Sequence, residues 1–212
     1  MFGGSSQLEG IDRDTARGSR PGSERIGRVI VGLLLAFGIW HLGGGLYIHA
    51  KAQLAQVLLQ QAWDRTLRGE TRVRPWPWAD TWPVARIRVP GLAVDQLVLA
   101  GASGRSLAFG PGHVDGTAAP GRGGNLVISG HRDTHFSWLA RVTAGDEIVL
   151  DMPNGRQEIY QVTSRSVHHE SETGLLGQGG TPMLTLITCY PFDALIPGGP
   201  LRFVVTATTS GG

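Results

Sequence analysis

Three side chains able to do acyl chemistry stand at the ends of apolar runs. Cys189, the single cysteine of the 212 residues, closes Met183-Leu184-Thr185-Leu186-Ile187-Thr188, a buried-strand pattern that Tyr190-Pro191 stops at once. One thiol makes neither an internal disulfide nor a cysteine-based zinc site, so it is either a small core filler or a nucleophile. His131 follows a second apolar run in N-L-V-I-S-G-H-R at 125–132, and Arg202 opens a third in L-R-F-V-V-T-A at 201–207. A thiol attacks a carbonyl as the thiolate. An imidazole takes that proton or pairs with the sulfur, then protonates a leaving amine. A guanidinium brings fixed positive charge and several N–H donors to the oxyanion of the tetrahedral intermediate. Each residue alone has a plain structural reading: a packing cysteine, a turn histidine, a solvated edge arginine.

The remaining titratable residues carry weaker patterns. His131-x-x-x-His135 has the spacing of two zinc ligands on a helix, but H-R-D-T-H lacks the glutamate of H-E-x-x-H and follows a strand. Asp133 either orients a histidine or caps the short helix expected over 134–139, and the cap is the favoured reading. His113, in a glycine-rich loop, reads as structural. Glu170 and Glu172 precede the cysteine strand, but two scattered carboxylates fall short of the six or more oxygens that calcium takes. His168 and His169 form no ligand pattern. The expectation is therefore no cofactor and no metal.

The elements that must position these residues read as strands. Val84-Ala85-Arg86-Ile87-Arg88-Val89 alternates apolar and charged, which gives one buried face. Further strands are expected at 93–100, 125–129, 146–151, 156–167, 183–189 and 201–208, with an extended loop over 110–124. Pro153-Asn154-Gly155 predicts a tight hairpin, since Asn-Gly tolerates positive φ. Six to eight short strands with almost no helix argue for a closed barrel or a sandwich. A net charge of +2, with arginines scattered rather than striped, argues against nucleic acid.

Residues 29–48 carry no formal charge and are long enough, as a helix, to cross a bilayer core of about 30 Å. Arg20, Arg25 and Arg28 precede the run, and Trp40 and Tyr47 lie toward its far end. The positive-inside rule then leaves 1–28 as a disordered cytoplasmic tail and sends the rest across the membrane. A signal peptide cleaved near Gly43-Gly44-Gly45 is the competing reading. His41 inside the span reads as a neutral imidazole shielded by Trp40. Residues 49–74 read as a helical stalk or linker, with Leu54, Val57, Leu58 and Ala62 at helical spacing and Gly69 as the stop.

Several of these motifs together resemble the sortases, membrane-anchored cysteine transpeptidases. They are T-L-I-T-C at 185–189, G-H at 130–131, L-R-F-V-V at 201–205 and G-P-G-H-V-D-G-T-A-A-P-G-R-G-G-N at 110–125. W-P-W-A-D at 76–80, H-R-D-T-H-F at 131–136 and C-Y-P-F-D-A-L-I-P-G-G-P-L-R at 189–202 are similar to the Gram-negative subgroup, class GN. The resemblance implies an all-β fold, an eight-stranded sortase-like barrel, as a catalytic domain over 75–209. It implies Cys189 as nucleophile, His131 as acid/base and Arg202 as oxyanion or substrate stabiliser. Thr188 and Thr185, beside the thiol, either line the peptide groove or simply pack. The implied partners are a protein bearing a C-terminal LPXTG-like sorting signal, cleaved between Thr and Gly through a thioacyl enzyme, an amine acceptor and membrane lipid. The implied place is the inner membrane, single-pass, with the catalytic domain on the periplasmic side. Some sortases bind calcium near the loop that holds Glu170 and Glu172, and the two glutamates alone do not support it here. A cysteine hydrolase on the same scaffold and a non-catalytic, membrane-tethered peptide-binding domain are the rival readings.

Overall fold

The computed structural model describes residues 21–177, 181–194, 196 and 198–209. Two compact units divide at Ala50. Helix α1 (Pro21–Leu67) runs through both. Of the tail expected over 1–28, residues 1–20 lie outside the described residues, and 21–28 fall within α1.

In the first unit the helix exposes its apolar side chains, with Leu42 and Trp40 among the most exposed. Its most apolar 18-residue window has a mean hydropathy of 1.9 and no buried residue. That combination fits a helix whose solvent is lipid. His41 meets the ring of Phe37 edge-on, centroids 4.3 Å apart.

In the second unit, the end of α1 buries Leu59, Ala62, Trp63 and Thr66. Leu54 and Val57, expected on the packing face, are exposed. The buried stripe is set by the indole of Trp63, which rotates the contact face away from them. The helix ends as expected: Gly69, at φ 96, donates its N–H to Thr66 O at 2.9 Å.

Eight strands close a barrel: β1 (Pro83–Val89), β2 (Val94–Ala100), β3 (Gly112–His113), β4 (Asn125–Ser129), β5 (Glu147–Asp151), β6 (Gln157–His169), β7 (Met183–Cys189) and β8 (Leu201–Thr209). A four-residue helix, α2 (Gly104–Leu107), follows β2. The order around the barrel is β1-β2-β3-β4-β7-β8-β6-β5. Seven strands match the pattern expected from sequence. The eighth, β3, lies inside the stretch expected as loop, where two residues cannot show a period. Pro153-Asn154-Gly155 makes the expected tight hairpin: Met152 N–H donates to Arg156 O at 2.8 Å across it, and Gly155, though not Asn154, takes positive φ.

Alternation sorts each strand into an inner and an outer face. Ala85, Ile87 and Val89 of β1 point inward, while Arg86 and Arg88 point out and pair with Asp95 and Asp151. Leu126 and Ile128 of β4, Leu184 and Leu186 of β7, and Val205 and Ala207 of β8 join the same core. The other parity of these three strands therefore shares the outer face.

Candidate active site

Cys189 sits on that outer face, between two neighbours brought in by strand register. On one side β7 pairs antiparallel with β8, and Arg202 is the direct cross-strand partner of Cys189. On the other side β7 runs parallel to β4, with Ser129 opposite Ile187. The register continues past the strand end: Gly130 N–H donates to Ile187 O at 3.1 Å, and Thr188 Oγ1 donates to Gly130 O at 2.7 Å. Two residues beyond Ser129 and two beyond Ile187 stand His131 and Cys189. Arg202 thus stands on the strand beside Cys189, and His131 in the turn that leaves the strand on its other side.

Gly130 makes the turn that presents His131. A Cβ there would lie 2.8 Å from the ring of Phe136, which is fully buried. Phe136 N–H closes the turn on His131 O at 2.9 Å, and the histidine is left exposed while Cys189 is half-buried. Arg202 is also half-buried. Its Nη1 donates to Gly199 O and Leu201 O, at 2.7 and 2.9 Å, and its Nη2 donates to Glu170. Three of five guanidinium N–H groups are thus used in holding it among the described residues. A thiol, an imidazole and a guanidinium are the side chains from which an acyl-transfer site can be built.

The sequence model of the sortase domain matches residues 87–210, more than half of the chain. The chain belongs to the sortase family. Sortase D of Bacillus subtilis is 27% identical over 120 residues, which are 56% of this chain and 60% of that protein. The match thus spans less than two thirds of that relative's length. The catalytic domain of B. anthracis SrtD is 33% identical, with a TM-score of 0.53 over 61% of this chain and 88% of that one. Clostridium perfringens sortase C, solved with the C-terminal cell wall sorting motif, shares the fold at 20% identity, with a TM-score of 0.57 over 76% of this chain and 90% of that one.

In this sortase the two threonines beside the thiol differ. Thr188 has inner parity, is buried, and uses its hydroxyl to tie β7 to Gly130. Its burial and that bond fit the packing reading. Thr185 is on the outer face but is buried as well, and its hydroxyl donates to Asn125 Oδ1 at 2.7 Å. Asn125 Nδ2 in turn reaches Leu175 O and Gly177 O, at 2.9 and 3.3 Å, so the β6–β7 connection roofs this part of the face.

Asp133 is not a helix cap. The helical turn is a 3-10 segment at Ser137–Arg141 without a side-chain cap, and Asp133 Oδ1 accepts from Arg132 Nε at 3.0 Å. Glu170 braces Arg202, while Glu172 accepts from His169 N–H and pairs with His168 Nδ1 at 2.9 Å. The His168 contact, first, and the backbone N–H hold the Glu172 carboxyl below its usual pKa. Both glutamates are thus committed to protein partners, and no cluster able to hold a metal ion occurs among the described residues.

Arg132 was the residue least visible in the sequence. Its side chain is 3% exposed, and its Nη1 and Nη2 donate to Pro191 O and Ala194 O at 2.6 and 2.7 Å. It ties the His131 turn to the chain leaving Cys189. Tyr190, Phe192 and Phe203 pack as an aromatic group at the base of the same connection. Only its position directly after His131 hinted at Arg132; nothing in the sequence marks a cation as buried.

Proposed function

We propose that this chain is a cysteine transpeptidase acting on LPXTG-like sorting signals, with Cys189 as nucleophile, His131 as acid/base and Arg202 as oxyanion stabiliser. The register that pairs Cys189 with Arg202, and that brings the end of β4, two residues before His131, beside Ile187, is the observation that supports the reading. The Cys189 thiolate attacks the carbonyl carbon of the Thr–Gly bond, and the oxyanion meets the guanidinium of Arg202. The C–N bond breaks as His131 protonates the departing glycine nitrogen, leaving a thioacyl enzyme. An amine then forms a new C–N bond, the C–S bond breaks, and the amine's proton returns to imidazole. The exposed apolar helix supports a membrane anchor. We read 29–48 as the span, 1–28 as cytoplasmic and the barrel as lying on the periplasmic side, with the subgroup being class GN.

The test is incubation of the full chain, in detergent, with a labelled LPXTG-type peptide, with and without an amine. Intact-mass spectrometry is expected to find a thioacyl adduct that Cys189→Ala abolishes. His131→Ala is expected to slow its formation by about 10²–10⁴-fold. Turnover surviving Cys189→Ala would refute the reading, and product release indifferent to amine would make the chain a hydrolase instead.

A further inference from the structure

The partners of the Arg202 guanidinium differ in kind. Arg202 pairs with Cys189 of β7 on one side of β8 and with His168 of β6 on the other, so the three residues form one row across three strands. Direct cross-strand neighbours share a face. Two neutral carbonyls, of Gly199 and Leu201, accept from Nη1, while a carboxylate, that of Glu170, accepts from Nη2. The carbonyls belong to Arg202's own strand and the connection just before it. Glu170 is 32 positions away and directly follows β6. The turn that carries it is tied down several times. Glu170 N–H donates to Pro200 O at 2.7 Å, and Glu172 N–H donates to His169 O at 2.9 Å. The Glu172 carboxylate accepts from His169 N–H at 2.8 Å and meets His168 Nδ1 at 2.9 Å. His168 Nε2 in turn meets Ser166 Oγ at 2.8 Å.

We propose that Glu170 is a positioning residue for acyl transfer: it holds the Arg202 guanidinium at the ladder position beside Cys189 and so orients it before the oxyanion forms. The proposal rests on the transpeptidase reading above. The ion pair does little for the fold, because its side chains are 27% exposed at Arg202 and 52% exposed at Glu170, and pairs so open to solvent add little stability. What it supplies is order. An arginine side chain has many rotamers, and those it loses must be lost to something that holds its head group. The carbonyls hold the guanidinium to its own strand. Glu170 holds it from the far side, on a turn that its own hydrogen bonds make stiff. A cation fixed in advance stabilises developing charge without reorganising at the moment of reaction. Glu170 thus acts through Arg202 and takes no part in making or breaking bonds.

The full chain in detergent is given an LPXTG-type peptide over a concentration series, and thioacyl formation is followed by rapid quenching and mass spectrometry. Glu170→Ala is expected to lower the maximal acylation rate about tenfold with little change in the half-saturating peptide concentration. Glu170→Gln, whose amide oxygen can still accept from Nη2, should recover most of that loss. A double-mutant cycle separates positioning from general damage. In an Arg202→Ala background, Glu170→Ala is expected to leave the rate unchanged. Equal losses in the two backgrounds, or acylation by Glu170→Ala as fast as by the unsubstituted chain, overturns the proposal. A second arm reads the arginine directly, by NMR of the full chain carrying isotope-labelled arginine. The Arg202 Nε–H signal, assigned by its loss in Arg202→Lys, should be rigid on the nanosecond timescale in the unsubstituted chain and mobile in Glu170→Ala. No acyl enzyme in the unsubstituted chain, with Arg202 freed by Glu170→Ala, would refute the transpeptidase reading and keep the brace. Acyl enzyme with an Arg202 signal indifferent to Glu170 would refute the brace alone.

Discussion

The two ends of the parallel β4–β7 pair are held by different chemistry. At the end where both strands begin, a neutral amide does the work: Asn125 bonds Thr185 across the strands and two carbonyls of the β6–β7 connection. Where both strands finish, a buried cation, Arg132, grips Pro191 and Ala194. The first end fixes a roof over the sheet. The second joins the turn bearing His131 to the chain leaving Cys189. Burying a guanidinium costs far more desolvation than burying an amide, but its charge-assisted bonds are roughly twice as strong as neutral ones. The costlier device stands where two loops must keep a fixed separation.

The largest expected effect tests that difference directly. Arg132→Met leaves two loop carbonyls without their donor and should destabilise the chain by about 3–5 kcal/mol. It should also slow thioacyl formation, with Arg132→Lys recovering only part, since an ammonium cannot span both carbonyls in fork geometry. Urea melts and peptide kinetics measure both. Asn125→Ala, at the other end, should cost about 1–3 kcal/mol. Alkylation of Cys189 by iodoacetamide should slow less in Asn125→Ala than in Arg132→Met. Equal losses in the two variants would break the contrast. The smallest effect is a pH dependence. His135 has its folded pKa below the ordinary 6.5, chiefly through burial. Above about pH 6.5 the folded and unfolded forms are both neutral, and its contribution to stability is complete. As pH falls from there through the lowered folded value, the unfolded chain binds the proton first, and the thermal midpoint should drop. His135→Gln should flatten that slope.

Periodicity made most of the barrel legible, because alternating and continuous apolar runs mark strands that bury one face or two. The three proposed catalytic residues were legible for the same reason, since each ends or opens such a run. What escaped was what depends on contacts between distant segments. The two residues of β3 are too few for a period. The packing phase of the helix over 50–67 was decided by the indole of Trp63, and Leu54 and Val57 gave no warning. The burial of Arg132 depends on carbonyls about 60 positions away, at Pro191 and Ala194. Asp133 looked like a cap because its side chain suits one, but a neighbouring guanidinium claims it.

Cys189 and Arg202 meet as ladder partners. Their encounter is written into the hydrogen-bond register of β7 and β8, not into the connection that joins them. Insertions, deletions or grafts between Ala194 and Gly199 can therefore be made without unpairing the two strand positions. An engineer has there a segment open to rewriting, provided the exchange begins after the two carbonyls that Arg132 holds and ends before Gly199, whose carbonyl holds Arg202.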